Sequence, residues 1–184
     1  MSQDGSPVHY VCTRGEAADL IDAAWEFWVC NCGCREAKGS CGSSRHDVCL
    51  MFADAGSSGS GKRRIDRVDA EAVLSTARDC GLVARPFRNA QRTAVEGICF
   101  CCDDCCGYFL DPTERCDKGP SVESTRVGEC NACGLCEDVC YFGARSVTDA
   151  GLIVKRDRCH GCGLCADICP EDCVDMVPRG EGAR

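Results

Sequence analysis

No apolar run in the sequence approaches 18 residues, so no segment is predicted to cross a bilayer as a helix. The first residues, MSQDGSPVHYVC, offer neither the basic stretch nor the apolar core that a secretory leader needs. Histidine is scarce: His9, His46 and His160 stand singly, and there is no H-E-x-x-H helix for a zinc hydrolase. A glycine-rich dinucleotide fingerprint is also missing. The stretch from Gly56 to Lys62 has the form G-x4-G-K, but Arg63 stands where a phosphate loop needs Ser or Thr to hold magnesium, and no apolar strand ending in Asp follows. It reads as a glycine- and serine-rich loop with a basic tail. The C-x3-C-x2-C triplet of radical enzymes fails as well: Cys101 and Cys105 have the first spacing, and Tyr108 occupies the last slot. Positive charge is in deficit, with 21 Lys and Arg against 29 Asp and Glu and a net charge of -8. Such a chain repels nucleic acid and is expected to dock on basic surfaces.

What the chain has in excess is cysteine, 22 in 184 residues. At that density cross-links or metal sites supply stability that a small apolar core does not. Disulfides would require export, which the N-terminus does not favour. The expectation is therefore a reducing, cytoplasmic location with thiolates bound to metal. The length suits one ordinary domain or two small ones.

Residues 130–140 read CNACGLCEDVC and residues 159–170 read CHGCGLCADICP. These are two copies of C-x2-C-x2-C-x3-C, 29 residues apart: Cys130, Cys133, Cys136, Cys140 and Cys159, Cys162, Cys165, Cys169. Thiolates at that pitch on a glycine-bearing loop can converge on the corners of an iron-sulfur cubane. Tetrahedral zinc sites also use C-x2-C pairs, but in two pairs rather than two quartets.

At these residues the chain resembles the bacterial two-cluster, low-potential ferredoxins. In that family the fourth cysteine of each run serves the other cluster. The resemblance implies one [4Fe-4S] centre on Cys130, Cys133, Cys136 and Cys169, and a second on Cys159, Cys162, Cys165 and Cys140. Within this region 144–147 and 151–154 flank Asp149-Ala150 and read as a small hairpin, and 174–177 as a closing strand; with a short helical turn after each run they complete a ferredoxin-like α+β unit. One departure is visible: Pro170 follows Cys169, whereas Tyr141 follows Cys140. Cys173 is read as a packing residue.

Upstream, Thr13-Arg14-Gly15-Glu16 has the form of a capping box, and Ala17, Leu20, Ile21, Ala24, Trp25 and Trp28 recur at helical spacing. A helix over 14–28 with its tryptophans in the core is predicted. A short strand is expected at 49–54 and a second helix at 70–80, capped by Asp69 and stopped at Gly81, with Val73, Leu74, Ala77 and Cys80 on its apolar face. Leu82 and Val83 are expected to continue into a short strand before Pro86.

Between these elements lie two cysteine knots. Cys30, Cys32, Cys34, Cys41 and Cys49 crowd into one, and Cys32, Cys34, Cys41 and Cys49 make its most compact quartet. In the other, Cys99, Cys102 and Cys105 repeat the C-x2-C-x2-C pitch, with Cys101 and Cys106 left over. Cooperation between the knots, with ligands exchanged, would supply one or two further iron-sulfur clusters. The C-x-C-R stretch at Cys32–Arg35, the knot at 98–102 and the C-terminal runs together resemble multi-cluster ferredoxin-like proteins of anaerobic microbes.

The expected fold is α+β: a cysteine-rich, mainly helical domain over 1–110, a linker over 111–126 in which Cys116 is free, and a two-cluster ferredoxin domain over 127–184. A cubane held by four thiolates has no open coordination position, so the leading expectation is relay of low-potential electrons between redox protein partners, alone or as a subunit of a larger complex. The alternative is an iron-sulfur oxidoreductase, or its electron-transfer subunit, in which an N-terminal cluster binds substrate.

Overall fold

A computed structural model describes residues 8–54, 59–111 and 113–180. The N-terminal half is built on a five-stranded antiparallel sheet in the order β3-β1-β2-β5-β4. Its strands are β1 (Phe27–Cys30), β2 (Cys49–Met51), β3 (Arg63–Ile65), β4 (Val83–Arg88) and β5 (Val95–Cys101). Two helices, α1 (Arg14–Ala23) and α3 (Arg67–Asp79), pack on one face. Two short helices, α2 (Gly33–Lys38) and α4 (Gly107–Leu110), each follow a cysteine. The expectation of a mainly helical N-terminal domain is thus overturned.

Strand alternation explains both the sheet and why its sequence hid it. Phe27, Val29, Leu50, Ile98 and Phe100 point into the helix-covered core, where they meet Ile21, Val73 and Ala77. Trp28, Cys30, Cys49, Met51, Phe87 and Cys99 gather in a separate cluster on the outer face. Cysteine at outward positions made these strands read as ligand knots. Gly97 is required where β5 crosses between its neighbours: a Cβ there would lie 2.3 Å from the Leu50 carbonyl oxygen and 2.6 Å from Phe87 Cζ.

The first helix is shorter than its periodicity predicts. The capping box forms, with Glu16 N donating to Thr13 Oγ1 at 3.2 Å and Thr13 N to Glu16 Oε2 at 2.8 Å. The chain turns extended at Ala24, and the aromatic and β-branched run at 27–30 is taken by β1. Trp25 is 94% exposed rather than in the core, and Trp28 lies beside Lys62 and Arg64 on the sheet. The second helix starts earlier than expected, capped by Asp66, whose Oδ1 accepts from Asp69 N at 2.9 Å. Its apolar face is as read, with Ala70, Val73 and Ala77 buried and Leu74 and Cys80 packed beside them. Pro86 does not follow the strand at 82–83 but sits within β4, on the edge of the sheet, where a residue without an N–H is tolerated. Part of the 56–62 loop lies outside the described residues; Lys62 pairs with Asp54 at 2.6 Å.

The C-terminal unit has two two-stranded sheets: β6 (Ser121–Thr125) with β9 (Val174–Pro178), and the hairpin of β7 (Arg145–Thr148) with β8 (Gly151–Val154). The one-turn helices α5 (Leu135–Asp138) and α6 (Leu164–Asp167) follow the two cysteine runs. Segment 111–126, expected as a connector, contributes β6 to this unit. The halves meet through several hydrogen bonds. Ser121 Oγ donates to Glu16 Oε1 at 2.6 Å, Tyr141 Oη to the Gly81 carbonyl at 3.1 Å, and Val11 N to the Asp117 carbonyl at 3.0 Å.

Candidate metal centres

Each C-terminal cysteine run wraps a cavity. One is lined by Cys130, Cys133, Cys136 and Cys169, with Cys173 and Arg145. The other is lined by Cys140, Cys159, Cys162 and Cys165, again with Arg145. The fourth cysteine of each run therefore faces the cavity of the other run. The loops repeat their backbone: Ala132 and Gly161 have φ of 54° and 83°, and Gly134 and Gly163 have φ of 86° and 79°. These left-handed residues turn successive cysteines inward and free N–H groups for sulfur. Ala132 N donates to Cys130 Sγ at 3.4 Å and Ala144 N to Cys140 Sγ at 3.3 Å.

The two cavities share one cation. Arg145 is buried and lines both; its Nη1 pairs with Glu123 Oε2 at 2.9 Å, its Nη1 and Nη2 both reach Thr125 Oγ1 at 3.1 Å, and it also reaches the Cys136 thiol. Its Nε has no partner, as a donor awaiting an anionic neighbour would. Burial pushes the Cys162 and Cys165 thiols up to about 12, an environment in which a metal's charge is needed to keep the thiolate. No three of the eight run cysteines have all their sulfurs within 4.8 Å of one another, so the sulfurs stand around open space. Two thiol quartets, inward N–H groups and a shared buried guanidinium fit a pair of iron-sulfur clusters. Cys173, read as packing, is buried with its sulfur 3.5 Å from that of Cys169.

In the sheet unit the structure redistributes the expected N-terminal ligands into three groups. On the outer face, Cys30 pairs in register with Cys49, and the pairing of Leu50 with Ile98 sets Cys49 level with Cys99. Three thiols thus form a row across β1, β2 and β5, with His9 Nε2 at 3.9 Å from Cys99 Sγ. Hydrogen bonds from Cys49 first, and from His9, hold Cys99 down to about 5 despite its burial. In the second group a chain of thiol hydrogen bonds runs from Cys32 through Cys34 and Cys106 to Cys101. The buried Arg85 reaches Cys106 at 3.3 Å, Cys101 at 3.7 Å and Cys116 at 3.4 Å; Cys116 is a free thiol that accepts from this guanidinium. In the third group Cys41 meets Cys102 and Cys105 beside the buried Arg35. Cys32, Cys34, Cys41 and Cys49 are not gathered as one quartet, and Cys99 is separated from Cys102 and Cys105. The fold sets thiols of the two knots side by side in the second and third groups. Arg85 and Arg145 carried no signal in the sequence; Arg35 stood within the C-x-C-R stretch.

An aromatic junction lies between the second group and the second cavity. Arg85 sits 4.1 Å over the Tyr108 ring, Tyr108 contacts Phe142 and His160 at 6.2 and 6.3 Å, and Phe142 stacks on His160 at 4.2 Å. Phe142 and His160 also line that cavity. Burial first, then the positive charges of Lys118, Arg179 and Arg85, bring His160 down to about 4, so its ring is neutral near pH 7.

Among the described residues, no helix is long and apolar enough to cross a membrane. No curated protein and no solved structure matches the chain. Residues 152–175, from β8 through the second cysteine run to Asp175 in β9, match the family model described as a 4Fe-4S binding domain, so this part of the chain is similar to an iron-sulfur-binding module.

Proposed function

We propose that the chain is a multi-cluster iron-sulfur protein that relays low-potential electrons between redox partners. The observation that carries this reading is the crossed pair of cavities, each lined by three cysteines of one run and the fourth of the other. On this reading Cys130, Cys133, Cys136 and Cys169 hold one [4Fe-4S] centre, and Cys140, Cys159, Cys162 and Cys165 hold the other. Bound there, such centres supply one-electron exchange without proton or atom transfer.

The chain's own residues do the remaining work. Arg145 places one positive charge between the two sites, favouring the reduced, more negative state of either. The N–H groups of Ala132 and Ala144 act on the sulfurs in the same direction. Cys133 is exposed, and Glu129, Glu137, Asp138 and Glu171 around it are exposed as well, so this end offers an acidic surface to a partner with a basic patch. At the other end, the rings of Phe142, His160 and Tyr108 form a continuous path from the second cavity to the Cys32, Cys34, Cys101 and Cys106 group. That group is the proposed site of a further iron-sulfur centre, with Arg85 as its buried counter-charge. All 22 cysteines are free thiols, which suits a reducing cytoplasm.

Anaerobic reduction monitored by EPR tests the reading. Two mutually interacting [4Fe-4S] signals are expected; Cys133→Ser removes or alters one and uncouples the other. A protein whose Cys133→Ser and Cys162→Ser variants keep the wild-type signal would refute the ligand assignment.

A further inference from the structure

The thiols of Cys41, Cys102 and Cys105 differ from every other described cysteine group in their spacing. Their sulfurs lie 3.6 Å (Cys41–Cys102), 3.4 Å (Cys102–Cys105) and 3.7 Å (Cys41–Cys105) apart. Among the described residues they are the one group of three or more His, Cys, Asp or Glu whose ligand atoms all lie within 4.8 Å. Metal–sulfur bonds of about 2.3 Å at the tetrahedral angle set sulfurs roughly 3.8 Å apart, so this triangle has the dimensions of three corners around a single ion. A four-iron core carries its thiolates outside the irons and needs the wider opening that the C-terminal cavities provide. We propose that Cys41, Cys102 and Cys105 bind one zinc ion in a mononuclear three-thiolate site, separate from the iron-sulfur centres.

The surroundings suit such an ion. The Arg35 side chain is wholly buried, donates from Nε to Cys41 at 3.3 Å and from Nη2 to Cys102 at 3.8 Å, and has no partner at Nη1. A buried guanidinium facing sulfur is stable only if the thiols are ionised. Three thiolates, a divalent ion and one guanidinium make a neutral site, whereas a fourth thiolate would leave a buried negative charge. The fourth position therefore falls to a neutral donor such as water, the arrangement of a zinc site that keeps an open position. Backbone N–H groups of Ser43 and Ser44 hold the Cys41 sulfur. Asp104 is engaged by the Gly42 N–H at 3.1 Å and by Lys38 at 2.5 Å, which ties the 102–105 turn to the Cys41 loop. Zinc neither accepts nor donates electrons, so the site stands whether or not the electron-relay reading holds.

The test uses the full chain, reconstituted anaerobically with iron and sulfide and then titrated with Co2+. About one equivalent should develop the absorption of tetrahedral thiolate-bound cobalt, be displaced by zinc, and leave the iron content unchanged. Cys102→Ser and Cys41→Ser should abolish that signal while retaining iron; because Cys41 lies in a half-exposed loop, its variant carries the test if Cys102→Ser fails to fold. Arg35→Gln should weaken cobalt binding at least about tenfold, as loss of an outer-shell partner does. No tetrahedral signal in the wild type, loss of about four irons from either Cys variant, or a signal that survives Cys102→Ser and vanishes with Cys34→Ser would each overturn the proposal.

Discussion

Arg145 shows how much of the site rests on a residue without a motif. It opens β7, the first strand of an ordinary hairpin, and a single arginine in such a strand normally points to water. Its burial follows only from the fold, which sets Glu123 and Thr125 of β6 beside it. Replacing it by Met leaves Glu123 with Arg156 and the Thr125 hydroxyl and should cost on the order of 3 kcal/mol, read as a lower denaturation midpoint of the full chain. Burial by itself would raise the Glu123 carboxyl, but Thr125, Arg156 and Arg145 outweigh it and hold it below the usual glutamate range. A depressed carboxylate stabilises the folded state above its unfolded pKa and ceases to do so as pH falls through the folded value. Glu123→Gln should therefore be less stable than wild type at pH 7, with the gap closing below about pH 4; a gap that widens in acid would contradict this.

Cys173 and Cys169 set a second question at this scale, because their sulfurs are only 3.5 Å apart. The run spacing makes Cys169 the ligand and Cys173 a packing residue. Cys169→Ala should lose one centre's EPR signal and Cys173→Ala should keep it; the reverse result would exchange their roles.

Among the elements, those with one clear periodicity were legible. The hairpin expected at 144–147 and 151–154 and the strand expected at 174–177 appear within a residue of those bounds, and the helix expected at 70–80 appears with its start three residues earlier. β1 and β5 were hidden for a specific reason: their outward positions carry Cys30, Cys99 and Cys101, so alternation was masked by residues that read as ligands. Long-range pairing, invisible to local pattern, then decided which thiols meet. Gly97→Ala tests the sheet directly. Contact with the Leu50 carbonyl and the Phe87 ring should cost about 2–4 kcal/mol, measured by urea unfolding of the full chain. A neutral effect would mean that β2, β5 and β4 are not packed as described. At the helix termini, Thr13→Ala should cost about 1 kcal/mol through loss of the cap.

Over the whole molecule, the residue that departs from the run pattern is one that joins the halves. Tyr141 stands where the second run has Pro170, and it both donates to the Gly81 carbonyl and packs on Phe109 at 5.7 Å. Tyr141→Phe should keep both C-terminal centres while increasing amide exchange at 80–82 and around Phe142. Unchanged exchange there would mean that the hydroxyl does not hold the junction. Acidic docking has its own signature: electron transfer to a basic partner should slow as ionic strength rises from about 0.01 to 0.15 M.

The most direct test of the central claim is iron and acid-labile sulfide per chain on anaerobically purified protein, with EPR of the reduced state on the same sample. The account predicts roughly twelve irons with equal sulfide, of which about eight survive Cys34→Ser together with the interacting pair of signals. Iron without sulfide, or fewer than about eight irons with no interacting signals, would contradict it.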